Sequence, residues 1–362
     1  MDSATQFVLG AAVGTAVLGR RMGVRKAALT GGLLGSLPDA DVFWPFDDPV
    51  DSFILHRGMS HSLLVHAVVT PILGEGLRRL VPSLRDARVQ TYLAVFLCLA
   101  THALLDAMTI YGTRLFWPIW PEPLGLGSVF IIDPAYTLPL LIVTVWALFL
   151  KSWTPRFGKA LAAALILSTG YLGWTAVGQQ IAKSRVQTHL AKAGVKAERL
   201  FVTPTPFNTV FWRAVAVDGA RYINLYLPLL GGDDAVATYV HPRKPQSIAC
   251  WSGNGVVETL TDFSNGFVRF DADADGITVS DLRMGLTPQY VFRFVVAERR
   301  GVDIADIPPR RLQPVRGAPG DGEWLWAGIR GDRVIRPVEA NAAVSLGSRR
   351  LAAAGGAATV PC

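Results

Sequence analysis

Cysteine is nearly absent from this chain. Cys98, Cys250 and Cys362 are the only three in 362 residues, and no CxxC or Cys/His spacing joins them. That argues against a zinc finger or a disulfide framework, and leaves a Cys250 to Cys362 bridge as a weakly supported pairing. Charge is also sparse, at 17% of residues, and mean hydropathy is +0.33. The formal net charge of +7 comes from basic residues that are scattered or sit beside apolar runs, so nucleic acid is not an expected partner. The N-terminus lacks basic residues ahead of its apolar run, which is the wrong order for a cleaved signal peptide and reads as a retained membrane segment. Its glycines have no preceding strand and no following GK[ST], so a nucleotide loop is set aside in favour of close helix packing. No solenoid-type repeat is present.

What the chain does have is apolar length in its first half. Six stretches stand out, at residues 7–19, 27–37, 62–77, 91–110, 135–150 and 159–178. The fourth and sixth approach the ~20 residues that cross a bilayer, and the fifth does so if it starts earlier. The first two are short, which suits tilted, packed or re-entrant helices. Between the stretches, residues 20–26, 78–88 and 151–159 hold eleven Lys and Arg, whereas 38–59 and 111–134 hold only Arg57 and Arg114. This alternation places the two sparse loops on the outer face and, if all six stretches cross, the C-terminal half there too.

From about residue 183 the texture changes to strand-like alternation, as in "NTVFWRAVAVDG" and "PQYVFRFVVAER". The expected architecture is an α-helical polytopic membrane domain at 1–180 with about four to six membrane helices. A linker or amphipathic helix at 181–198 follows, then a small, mostly antiparallel β domain at 199–335 and a disordered Ala/Gly-rich tail at 336–362. "DADADG" at 271–276 copies the first half of an EF-hand loop, but position 12 is Leu282 and the flanks are strand-like, so a hairpin turn is expected.

The chemistry gathers in the sparse loops. "LPDADVFWPFDDPVDSFILHRGMSH" carries five aspartates and two histidines between apolar segments. Asp39 and Asp41 follow the second stretch, and His56 and His61 precede or begin the third. His102 and Asp106, four apart on one helical face, lie toward the outer end of the fourth. Three segments thus bring ligand-type residues to one membrane depth, where ionisable groups are costly and functional by default. A mixed His/Asp shell suits Zn first, then Mn or Fe. A carboxylate among Asp39, Asp41 and Asp106 that is not a ligand would serve as general base. Arg57 either neutralises the aspartates or clamps an anionic substrate. His66 is read as packing or support, Ser60 as a helix cap in the bland alternative, and Asp47, Asp48 and Asp51 as solvated loop.

Together "LPDAD", "HRGMSHS", "HALLDAMTIYGTRLFWP" and "IIDPAY" resemble the YdjM-like inner-membrane family, described as LexA-regulated, membrane-bound metal-dependent hydrolases. The resemblance is strongest over residues 10–140, and "PTPFNTVFWRAV" and "VSDLR" are similar to its longer members. Met59-Ser60 departs from the pattern, which has a β-branched residue followed by Thr. The resemblance implies a divalent metal held by Asp39, Asp41, His56, His61, His102 and Asp106, with Asp133 of "IIDP" a further candidate. It also implies a multi-pass protein of the inner (plasma) membrane. The function expected is water activation at the outer face on a lipid-linked ester or phosphoester, with the bilayer and a lipid-like substrate as partners. The alternative is a non-enzymatic membrane protein with a structural or transport-related metal site and a partner-binding β domain.

Overall fold

The computed structural model describes residues 1–245, 254–272, 276–300, 303–314 and 317–343, in two compact units. The first comprises residues 1–45, 55–178 and 206–209. It begins with α1 (Ser3–Met22), capped by Asp2, whose carboxylate accepts from Thr5 N at 3.0 Å. Arg20 and Arg21 end the helix, where cations favour the negative end of its dipole. Gly23, at φ 86°, turns the chain directly into α2 (Val24–Ser36).

The two short N-terminal stretches therefore form an antiparallel helical hairpin, and glycine decides how closely it packs. A Cβ on Gly35 would fall 2.7 Å from Gly10 Cα, and one on Gly14 would fall 2.6 Å from Gly31 Cα. Small residues four apart on both helices allow backbone-to-backbone contact.

A 3-10 turn, Leu37–Phe43, follows α2, and a second, Met59–His61, leads into α4 (Leu63–Leu80). After α5 (Arg88–Ala107) come α6 (Pro134–Phe149) and α7 (Pro155–Lys192). Among the described residues, α5 and α7 have the length and hydropathy to cross a membrane, while α6 is apolar but only 16 residues long. α7 is one unbroken helix of 38 residues, so the linker or amphipathic helix expected at 181–198 is largely its continuation.

The second unit comprises residues 46–54, 179–205 and those from 210 onward. One sheet is a meander of β1 (Arg199–Pro204), β2 (Phe211–Asp218), β3 (Arg221–Pro228) and β4 (Ala237–Pro242). β2 is buried along nearly its whole length because both of its faces are covered. Trp212, Ala214 and Ala216 pack with Ala182, Val186 and Leu190 of α7, while Val215 and Val217 pack with Phe267, Leu282 and Tyr290. The second sheet is built from β5 (Val268–Ala272), β6 (Gly276–Asp281), β9 (Arg293–Arg300) and β10 (Asp303–Arg311), in the order β10-β9-β6-β5. A two-stranded ribbon, β7 (Gly285–Leu286) with β8 (Gln289–Tyr290), interrupts it. β5 and β6 pair antiparallel, as a hairpin at "DADADG" requires, although residues 273–275 lie outside the described set. Cys250 and Cys362 lie outside it too.

Three helical elements in this unit depart from expectation. The middle of the acidic loop is a short helix, α3 (Pro49–Leu55), begun by Asp48, whose Oδ1 accepts from Val50 N and Asp51 N. Its Val50, Phe53 and Ile54 pack with Val257, Leu260 and Phe270 around α8 (Gly255–Phe263) and the second sheet. Phe53 stacks on Phe292 at 4.1 Å between ring centroids. Residues from 336, expected as a tail, are fixed in place at least to Ala343. Arg336 forms ion pairs with Asp321 at the start of α9 (Asp321–Ile329), and Glu339 of α10 (Pro337–Ala342) is fully buried. Glu339 accepts from Tyr226 OH at 2.7 Å and lies 3.1 Å from His241 Nε2. A paired, hydrogen-bonded carboxylate is the form in which charge survives burial.

The glycine contact gives a direct test. Gly31→Val drives a side chain into the Gly10 backbone and is expected to lower the thermal midpoint of the detergent-solubilised protein by several degrees, by analogy with overpacking costs of about 1–3 kcal/mol. Gly170→Ala, in α7 with open space around it, should leave the midpoint at or above its starting value.

Candidate metal centre

Four of the expected residues converge. One ligand atom each from Asp39, His61, His102 and Asp106 lies within 4.8 Å of the others. Asp39 sits on the 3-10 turn after α2, His61 on the turn before α4, and His102 and Asp106 on one face of α5. His61 Nε2 and His102 Nε2 are 3.0 Å apart. Asp39 Oδ1 is 3.4 Å from each of them, and Asp106 Oδ2 is 3.6 and 3.7 Å away. A tetrahedron with metal–ligand distances of ~2.0–2.1 Å has edges of about 3.3–3.4 Å, so these spacings suit a single ion.

The second nitrogen of each ring shows which state the first is in. His102 Nδ1 lies 2.6 Å from the Gly35 carbonyl oxygen, which can only accept, so Nδ1 carries the hydrogen. Ser60 Oγ donates to Asp41 Oδ2 at 2.7 Å, and its one hydrogen is thereby used. It must accept from His61 Nδ1, 2.9 Å away. With Nδ1 carrying a hydrogen on both rings, each imidazole in its neutral form aims an Nε2 lone pair at the same point, beside two carboxylates. Asp106 Oδ2 is buried and accepts no hydrogen bond. Two ring nitrogens and two carboxylate oxygens converge, and this donor set fits a divalent cation.

The electrostatics point the same way. Burial raises the Asp39 carboxyl, but hydrogen bonding to His102 and His61 outweighs it and holds the group well below the usual carboxylate range. Burial lowers the His61 imidazole, yet Asp106 and Asp39 more than offset this and raise it. The group is built around positive charge, which one proton supplies to a single nitrogen and a divalent ion supplies to all four atoms.

The remaining expected residues take other places. Asp41 and His56 form their own pair, with His56 Nδ1 2.8 Å from Asp41 Oδ1. Burial raises the Asp41 carboxyl, but hydrogen bonds from His56 and Ser60 bring it below its ordinary value. Arg57 has a left-handed backbone, φ 65°, which points its N–H at Asp41 Oδ2, 3.1 Å away. Its Nε lies 3.0 Å from Asp106 Oδ2 and its Nη1 donates to Thr109 Oγ1, so its charge is directed at Asp106. Asp133 is not one of the converging four. It caps α6 by accepting from Ala135 N and Tyr136 N, and it also accepts from Tyr171 OH at 2.9 Å. His66 Nε2 donates to the Ser60 carbonyl at 2.8 Å, a supporting contact behind His61.

Two supporting residues have no obvious mark in the sequence. Gln6, buried in α1, donates from Nε2 to Asp106 Oδ1 at 3.0 Å and to the His102 carbonyl at 3.3 Å. The Met1 amine is also paired with Asp106 Oδ1. A lone amide in the apolar run "TQFVLG" was the available signal. Ser60 is the other, since the cap of α4 is in fact Ser62, which accepts from Leu64 N and Val65 N.

The first half of the chain matches a known family. Residues 1–182 fit the family model described as YdjM inner membrane protein. The chain belongs to the YdjM inner membrane protein family. The match takes in all four converging residues, the Asp41–His56 pair and α1 to α6, and it ends within α7, so the β sheets lie beyond it. No curated protein and no solved structure matches the chain.

Removing a supporting contact should weaken metal binding without abolishing it. Ser60→Ala is expected to lower metal affinity by about 10–100-fold in competition with a chelator. Asp133→Ala should retain metal content and show its effect as lost stability of about 1 kcal/mol, read by thermal denaturation.

Proposed function

We propose that this YdjM-family protein is a membrane-bound metal-dependent hydrolase. The observation that carries the reading is the pair of Nε2 atoms facing each other at 3.0 Å between two carboxylates. Asp39, His61, His102 and Asp106 would hold the ion, and two nitrogens with two oxygens favour Zn, with Mn or Fe next. Such an ion supplies Lewis acidity and brings a water's pKa toward neutrality.

The chain's own residues handle the proton. Asp41 accepts from His56 Nδ1, which fixes the tautomer and leaves His56 Nε2 with a lone pair. The His56 ring centroid is 5.8 Å from that of His61, and its side chain is 29% exposed, so it can meet both the site and solvent. His56 Nε2 takes the proton from the attacking water and returns it to the leaving group, with Asp41 stabilising the imidazolium. Asp41 and His56 thus act beside the ion and not as its ligands. Arg57 offsets the buried charge of Asp106.

The fully buried side chains of His61, His102 and Asp106 close one side, while Asp39 at 19% and His56 leave another open. That partial opening gives a water access to the ion, which would take it as a fifth ligand or in place of Asp39. The substrate is a lipid-linked ester or phosphoester at the outer face of the inner membrane. The alternation of basic loops supports six crossings, which would put the C-terminal unit outside.

Metal analysis of detergent-purified protein tests the site. The expected outcome is close to one ion per chain, lost in His102→Ala and Asp39→Ala. Full metal content in both variants would overturn the assignment. His56→Asn should keep the ion while hydrolysis of a generic phosphodiester or ester falls by about 10²–10⁴-fold. Alkaline phosphatase fused after residue 180 should be active, and an inactive fusion would reverse the orientation.

A further inference from the structure

The two outer-face loops carry more exposed apolar surface than a water-facing active-site rim needs. Directly after Asp41, Phe43 is 87% exposed and Trp44 is 70% exposed. A second prominence lies on the segment between α5 and α6, where Ile119 is 81% exposed and Trp120 is 57% exposed. It is built on a small turn closed by the bridges Thr113 to Leu124 and Phe116 to Trp120. Backbone and side-chain bonds fasten that turn to the ligand loop. Leu63 N donates to the Leu115 carbonyl, Arg114 N to the Arg57 carbonyl, and Ser62 Oγ to the Trp117 carbonyl. Met59, two residues before His61, adds to the exposed apolar surface.

We propose that these two prominences form a collar seated in the headgroup and acyl boundary of the bilayer, so that an amphiphilic substrate reaches the metal centre sideways from the leaflet. The occupant of the collar is lipid, for three reasons. Trp joins an apolar ring to an N–H donor, the pairing that settles at a membrane interface. The collar adjoins the exposed apolar residues of α4 and α6, such as Val68, Ile72 and Ile142, which suit hydrocarbon in an inner membrane protein. The segment carrying Ile119 and Trp120 also holds only one acid, Glu122, and one base, Arg114, among residues 111–126, too little charge to steer a charged macromolecule. The substrate route rests on the hydrolase reading, whereas the seating of the collar does not.

Fluorescence quenching separates the two. The full chain is placed in phosphatidylcholine nanodiscs whose acyl chains are either unmodified or brominated, as wild type, Trp44→Phe and Trp120→Phe. Subtracting each variant from wild type isolates the emission of one indole. The expected result is loss of both difference emissions in brominated discs and no response to aqueous iodide. Emission quenched by iodide but not by bromine would put the collar in water, and emission quenched by neither would put it against protein or a second copy; either overturns the proposal. For the route, Phe43→Ser/Trp44→Ser is compared on a long-chain and a short-chain p-nitrophenyl ester. The long-chain to short-chain rate ratio should fall about tenfold. An unchanged ratio with bromine quenching intact would overturn the sideways route alone, and hydrolysis of neither ester by wild type would count against the hydrolase reading and the route together.

Discussion

Two imidazole Nε2 atoms, on rings whose Nδ1 hydrogens are already bonded elsewhere, stand 3.0 Å apart between two carboxylates. Left without a cation, this arrangement is repulsive, and most of the N-terminal unit can be understood as holding it together. The Gly35 carbonyl fixes one ring, and Ser60, itself tied to Asp41 and His66, fixes the other. Asp106 is gripped from one side by Gln6 and from another by Arg57. Such outer contacts fix ring orientation and basicity, which is why a metal site extends beyond its ligands.

The C-terminal unit follows a different logic. Its sheets bury apolar residues on both faces of β2, and its polar interior is a hydrogen-bonded chain running through Arg213, Asn224, Glu339 and His241. Nothing in that network is left facing an opening, so it reads as fastening α10 to the first sheet. The four converging residues lie among the helices and within the family match, and the β sheets lie beyond it.

The ligand types were legible because ionisable residues between apolar segments are hard to explain otherwise, and because the basic loops alternate. The helical period placed His102 and Asp106 on one face, and alternation marked β2, β3 and β9. What stayed hidden depended on three-dimensional neighbours. The period that relates His102 to Asp106 says nothing of whether Asp41 will meet the ion or His56. Asp133 looked like a ligand in "IIDP", yet an Asp before a proline at a helix start is equally a cap, and here it is one. The tail from 336 looked disordered because it is rich in Ala, while the single buried Glu339 that anchors it has no periodic signature. α3 was hidden by its three flanking aspartates, which mark a solvated loop until Phe53 finds an aromatic partner.

The α1–α2 contact has a consequence for how the centre behaves in a living membrane. Gly35, whose carbonyl orients His102, is seated against Gly10 without any side chain between them. Side-chain packing can loosen by rotamer hopping as lipids become thinner or more fluid, but a backbone–backbone seam has no rotamers to hop. The imidazole is thereby referenced to the stiffest part of the hairpin, and its aim is insulated from the changing composition and temperature of the surrounding lipid.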